Sequence, residues 1–144
     1  MSIKPVYTTT AQATGGRDGR VSTSDNALDL TLAVPKEMGG TGQGNNPEQL
    51  FAAGYAACYI GAMKYAASQD KSLPRPPTDL SARATVGIGP REDGGFELTV
   101  ALEAIIPGVA HDAALALAEA GHKVCPYSHA TRGNIEVTLT VVES

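Results

Sequence analysis

Residues 46–64, NPEQLFAAGYAACYIGAMK, decide how the chain is read, because they open a long helix with its start signals in place. Asn46 can accept hydrogen bonds as the N-cap, Pro47 suits the first helical position, and Glu48 favours the positive end of the dipole. The helix is expected over 47–70. One side of it is unusually small: Ala53, Ala57 and Gly61 form one four-residue row, and Gly54, Cys58 and Ala62 the next. A glycine inside a helix costs about 1 kcal/mol against alanine. Two of them imply that another backbone element approaches closely along that side.

Upstream of this helix the pattern is extended. Residues 4–14 read as a strand, GGRDGR at 15–20 as a turn, and 20–25 as the antiparallel return. Leu28, Leu30, Leu32 and Val34 alternate with Asp29, Thr31 and Ala33, a half-buried strand that Pro35 ends. The stretch PKEMGGTGQGNN at 35–46 is a glycine-rich loop. It lacks the GK[ST] ending of a phosphate-binding loop, so nucleotide binding is not expected. Downstream, KSLPRPPT at 71–78 is a link. Leu80 to Ile88 alternate as a strand, PREDGG at 90–95 turns, and 96–106 return. Pro107 and Gly108 break the pattern, 110–124 read as a second helix, and 134–142 close with a last strand. The class is α+β, with antiparallel strands covering two helices.

A chain of 144 residues suits one domain, 1–144, with a real hydrophobic core. A net charge of −4 without a basic cluster argues against a nucleic-acid partner. No apolar run approaches membrane-spanning length, and MSIKPVYTTT offers no secretory pattern. A cytoplasmic protein with no membrane partner is expected.

The chemistry-bearing candidates are the two cysteines. Cys58 and Cys125 stand too far apart for a CxxC motif. From their number alone they read as two buried thiols acting as small hydrophobes, and only their surroundings can overturn that. Cys58 lies mid-helix among apolar neighbours, where burial would leave a thiol inert unless a cation came close. Arg17, Arg20, Lys123 and Arg132 are the candidates, and spacing does not choose among them. Cys125 precedes the helix-breaking Pro126, at a point where the segment could move. His111, His122 and His129 have no metal-ligand spacing, so neither a metal nor a bound cofactor is expected. No GxSxG elbow supports serine chemistry.

Four segments carry a resemblance: ATGGRDGR at 13–20, NPEQLFAAGYAACYIGAMK at 46–64, VGIG at 86–89 and VCPYSHATRGNI at 124–135. Together they resemble the organic hydroperoxide resistance (Ohr) branch of the OsmC family, over essentially the whole chain. The resemblance implies an intertwined homodimer, with strands of both chains wrapped around two central helices. It implies that Cys58 is the peroxidatic cysteine, Cys125 the resolving cysteine, Arg17 the arginine that activates the thiol, and Glu48 the carboxylate that holds that arginine. His129 departs from the family pattern, where asparagine is more usual; it lies outside this set.

The implied reaction is the reduction of organic hydroperoxides to alcohols through a Cys58 sulfenic acid and a Cys58–Cys125 disulfide. The reductant would be a dithiol, dihydrolipoamide or a lipoylated protein. Phe51, Tyr55, Tyr59, Met63 and Ile60 can line a pocket for an alkyl tail, although plain core packing also accounts for such side chains. Glu48 and Cys58, ten residues apart on one helix, are separated by roughly 15 Å. One arginine reaching both therefore suggests that Glu48 is donated in trans across the dimer. A helix that starts later than Pro47 would leave Glu48 on a loop acting in cis. Two readings from other classes stay open: a non-catalytic module for an apolar ligand, and a thiol redox sensor.

Overall fold

The structure, a computed structural model, describes residues 2–142. The chain forms two compact units, Met1–Leu50 and Phe51–Ser144.

In the first unit, β1 (Ala11–Thr14), β2 (Arg20–Thr23) and β3 (Asp29–Thr31) make an antiparallel sheet in that order. The register pairs Thr14 with Arg20 and Arg20 with Thr31. The expected first strand is shorter than its pattern. The Ser24 N–H to Thr10 carbonyl bond, 2.9 Å, lies just outside β1, and residues 4–10 are exposed and outside regular structure. A β-pattern needs a neighbouring strand to become a strand, and among the described residues 4–10 have none. The glycine-rich stretch folds back on β3. Asn45 accepts from the Ala33 N–H at 2.9 Å and donates to the Thr31 carbonyl at 3.0 Å.

α1 (Pro47–Gln69) starts where its cap residues place it. Asn46 Oδ1 accepts from the Gln49 N–H at 2.9 Å, and Gln49 Oε1 accepts in return from the Asn46 N–H at 3.1 Å. This is a capping box with Asn and Gln in the two roles.

In the second unit, β4 (Ser81–Pro90) and β5 (Phe96–Ile105) form a hairpin, followed by α2 (His111–Val124), α3 (Pro126–Thr131) and β6 (Val137–Val142). Two features differ from the expected pattern. β6 runs parallel to β5, pairing Val100 with Val137 and Ile105 with Val142, so the sheet is mixed rather than antiparallel. Alternation reveals which face of a strand is buried but not which way its neighbour runs. The second difference is α3. Pro126 ends α2, and it also occupies the first position of a new short helix, where its missing N–H is no loss.

The core of this unit packs Tyr55, Tyr59 and Met63 of α1 against Ala114, Leu117 and Ala118 of α2 and against Val100, Leu102 and Ala104 of β5. Gly121 lets the helices approach. A Cβ there would lie 2.3 Å from Met63 Cγ and 3.1 Å from its Cα. The backbone element expected along the small side of α1 is not found among the described residues of this chain. At Gly54 the space is taken by the Tyr127 ring, whose hydroxyl would lie 2.9 Å from an added Cβ. At Gly61 nothing of the chain comes within 4 Å, and Ala53, Ala57 and Gly61 are exposed.

Candidate active site

Arg17 sits in a single 3-10 turn, Gly16–Asp18, between β1 and β2. Gly15 at φ 71° and Gly16 at φ 63° bend the chain through the left-handed region, which glycine adopts without strain. This turn presents the guanidinium to the first turn of α1. Nη1 donates to Glu48 Oε2 at 2.9 Å and Nη2 to Oε1 at 2.6 Å, a bidentate pair within one chain. Glu48 is helical from the start of α1, so the expected alternative of a loop-borne Glu48 does not occur.

The Arg17 guanidinium holds the Glu48 carboxyl below its usual range, with burial as the smaller opposing influence. A carboxyl with a depressed folded pKa stabilises the fold fully above its unfolded value, near 4.3, and loses that contribution as pH falls through the lower folded value. Arg17 is 36% exposed, so solvent screening limits the pair to about 1 kcal/mol. Glu48→Gln is therefore expected to lower the melting temperature at neutral pH by a few degrees. The gap between variant and parent should close as the pH is taken below about 4. A gap that is the same in strong acid would show that the ion pair does not stabilise the fold.

The second unit brings the two cysteines together. Cys125 Sγ lies 3.8 Å from Cys58 Sγ; Cys125 is fully buried and Cys58 partly so. Cys125 is both the last cap of α2 and the first cap of α3. Its N–H donates to the Gly121 carbonyl and its carbonyl accepts from the His129 N–H, each at 2.9 Å. The break at Pro126, where the segment was expected to be able to move, is a corner held by these two backbone hydrogen bonds. A disulfide needs sulfurs about 2.0 Å apart, so closure asks for a shift of under about 2 Å.

Burial pushes the Cys58 thiol above its ordinary range, and the neighbouring Cys125 adds to this. The Tyr127 backbone N–H faces the sulfur and pulls the value back. Ser128 and Tyr55 lie deeper in the same region. Tyr55 Oη shares a hydrogen bond with Ser128 Oγ at 2.8 Å, and His122 Nδ1 shares one with Ser128 Oγ at 2.7 Å.

Residues 40–140 match the OsmC-like protein family. The chain belongs to the OsmC family. An organic hydroperoxide resistance protein of Xanthomonas axonopodis pv. citri is 54% identical to this OsmC-family chain over 139 residues, covering 96% of each. Among solved structures, an organic hydroperoxide resistance protein from Elizabethkingia anophelis superimposes with TM-score 0.90 at 46% identity, covering 99% of this chain and 100% of that one. OhrB of Bacillus subtilis superimposes with TM-score 0.83 at 38% identity, covering 95% and 99%. The α+β fold of the OsmC family is thereby shown, as is membership of its organic hydroperoxide resistance branch.

The expected pocket residues divide. Tyr55, Tyr59 and Met63 have no exposed surface and belong to the core of the OsmC-family chain, so they line no open pocket. The two tyrosine hydroxyls are committed inside: Tyr55 Oη shares a hydrogen bond with Ser128 Oγ, and Tyr59 Oη donates to the Ala118 carbonyl at 2.8 Å. Phe51 does line a cleft of about 720 Å³, with Phe96, Leu98, Tyr127 and Ile135. This cleft adjoins the Pro126–Tyr127 corner beside Cys125. Neither this cleft nor one of about 770 Å³ lined by Lys64, Lys71 and Arg75 includes a cysteine, but only the smaller is lined by Pro126 and Tyr127, the residues that follow Cys125. Sequence reasoning missed Tyr127, which contributes an N–H and a ring, and Ser128, which contributes a buried hydroxyl. Both stand in the quoted segment VCPYSHATRGNI, but nothing in the letters indicates which of them turns inward. Among the described residues, no helix is long and apolar enough to cross a membrane.

Proposed function

We propose that this protein is a thiol peroxidase that reduces organic hydroperoxides to alcohols. The observation that carries the reading is the pair of free, largely buried sulfurs 3.8 Å apart. The relatives named organic hydroperoxide resistance proteins support a peroxide-detoxifying redox role. In the first step the Cys58 thiolate attacks the distal peroxide oxygen. The O–O bond breaks, the alkoxide leaves and takes a proton to become the alcohol, and Cys58 becomes a sulfenic acid. In the second step the Cys125 sulfur attacks the Cys58 sulfur, releasing water and leaving a disulfide. A dithiol reopens it by exchange and is itself oxidised to a disulfide.

The attacking form is the anion, and burial disfavours it. A fixed cation is therefore required, and Arg17 is the residue that the family resemblance assigns. Its fork is already oriented by Glu48, so little ordering remains to be done when it meets a thiolate. An arginine N–H directed at the leaving oxygen would also stabilise the developing alkoxide. The reductant in this reading is dihydrolipoamide or a lipoylated protein, and no bound cofactor is needed. The working form is an intertwined homodimer. Ile3, Val6 and Tyr7 at 84%, 104% and 77% exposure support it, because a single chain leaves these apolar residues uncovered. The exposed Ala53, Ala57 and Gly61 row supports a helix-to-helix contact of small residues.

A coupled assay with cumene hydroperoxide and dihydrolipoamide tests the reading. Continuous consumption of both, one for one, is the expected result. A protein that binds hydroperoxide without consuming it is a binding module. A protein that reacts once and stops, with dithiol present, is a sensor.

A further inference from the structure

Around the sulfur pair lies a buried polar network that the proposed chemistry does not use. Ser128 is fully buried and is its hub. Its Oγ meets Tyr55 Oη at 2.8 Å and His122 Nδ1 at 2.7 Å. Tyr55 Oη also meets Thr131 Oγ1 at 3.2 Å, and Thr131 Oγ1 donates to the Ser128 carbonyl at 3.1 Å. Arg132 Nη2 donates to the His122 carbonyl at 2.8 Å, closing the far side. No buried side-chain polar atom among the described residues lacks a partner.

The sequence spacing of these groups is the significant point. Tyr55 precedes Cys58 by one helical turn, His122 precedes Cys125 by three residues, and Ser128 follows it by three. The Tyr55–Ser128 bond therefore ties α1 to α3 beside the sulfurs, and the His122–Ser128 bond ties the end of α2 to α3 across Cys125. The links form a closed frame: Cys58, one turn of α1, Tyr55, Ser128, one turn of α3, Cys125, and back across 3.8 Å. An all-apolar core would hold these helices together without burying three side-chain hydroxyls. Hydrogen bonds add direction, which apolar packing lacks, and hence a defined corner geometry.

We propose that Tyr55, Ser128 and His122 are positioning residues for the second chemical step, holding Cys125 where it can attack the Cys58 sulfenic acid. The proposal rests on the peroxidase reading above. The bond formed is Cys125 Sγ to Cys58 Sγ, and the bond broken is the S–O bond of the sulfenic acid. Its oxygen leaves as water with the Cys125 thiol proton and the sulfenic proton. Attack of this kind depends on sub-ångström placement, and a misplacement near 1 Å can cost about a hundredfold in rate. The competing fate is a second peroxide reacting with the waiting sulfenic acid to give a sulfinic acid, which a dithiol does not reverse. The network thus governs the fraction of turnovers that end in over-oxidation.

The experiment is a single turnover with cumene hydroperoxide and no reductant, quenched by alkylation and read by intact mass. It resolves loss of the Cys58 thiol from disulfide formation. Ser128→Ala removes the hub, and Ile106→Val trims a fully buried residue elsewhere in the same core as a control for general loosening. The expected result is that Ser128→Ala loses its Cys58 thiol at the parent rate but forms the disulfide ten- to a hundredfold more slowly. Sulfinic acid should accumulate as peroxide is raised, while Ile106→Val behaves as the parent. Tyr55→Phe, which deletes the same bond from α1, is expected to slow the second phase too, and it carries the test if Ser128→Ala does not fold. Disulfide formation at the parent rate in both variants overturns the proposal, as does equal slowing in Ile106→Val. A parent protein whose Cys58 thiol is not consumed at all fails the peroxidase reading instead.

Discussion

Cys58→Ser is expected to abolish hydroperoxide consumption, by roughly a thousandfold or more, because the one remaining thiol, Cys125, is fully buried. Cys125→Ser should behave differently. It keeps the first step, consumes one equivalent of peroxide, and then accumulates sulfinic acid at Cys58, since the sulfur 3.8 Å away is gone. Intact mass after one and after ten equivalents of cumene hydroperoxide reads both outcomes. A Cys125→Ser protein that cycles at the parent rate with dihydrolipoamide would remove Cys125 from the mechanism. The asymmetry tests the roles, because two merely structural thiols would respond alike.

Arg17→Ala is expected to have the next largest effect, lowering the rate of Cys58 oxidation about a hundredfold and raising its thiol pKa. Each pKa unit is worth about 1.4 kcal/mol, and loss of one donor to a developing oxyanion costs about 10²–10³ in rate. Arg20→Ala and Arg132→Ala should change little in this step. The structure gives each another partner: Arg20 pairs with Asp29 at 2.9 Å on the exposed sheet, and Arg132 donates to the His122 carbonyl. Iodoacetamide alkylation against pH reads the thiol directly, and matching profiles for Arg17→Ala and parent would exclude Arg17. In the homodimer proposed above, the same variant reports on the subunit arrangement. Arg17 and Glu48 are clamped together in one chain, so they would serve a thiol as a unit. In heterodimers of Cys58→Ser with Arg17→Ala, donation in trans leaves one site with both lesions and one intact, and activity returns. Donation in cis leaves every site with one lesion, and the mixture stays inactive.

The legibility of the chain followed the range of the forces involved. The start of α1 was readable because its signals are local: Asn46, Pro47 and Glu48 are neighbours, and the Asn46 cap closes onto Gln49 within three residues. The β4–β5 hairpin was readable for the same reason, with its turn at PREDGG. Direction was not readable for β6, since its partner is set by packing across two helices. α3 was hidden because a proline carries two meanings, stop and start, and only the following turn distinguishes them. At the site, the cysteines stood out as residue types and the Arg17–Glu48 pair as a motif. The aromatic side chains of α1 could not be divided into core and pocket from their letters. Tyr55 and Phe51 are one turn apart, yet the first is sealed inside and the second lines a cleft. Their separation depends on the Tyr127 ring, which packs against both from a distant segment.

The parallel pairing of β6 on β5 has a bearing on how the molecule is made. The β4–β5 hairpin closes through a short turn and can form within microseconds. Joining β6 to β5 must wait until the whole of 106–136 has looped across, an entropic delay that local pairing does not face. That crossover carries Cys125. A slip of β6 by two residues would keep Val137, Leu139 and Val141 facing the same way, yet it would shift the strand by about 6.6 Å. Such a slip would strain the connection from α3, whose end leads into β6. The Ile106 N–H to Val142 carbonyl bond, 3.1 Å, guards against it by fixing the final rung. The two sulfurs thus stand 3.8 Å apart in a fold whose last strand closes over the longest connection in its sheet.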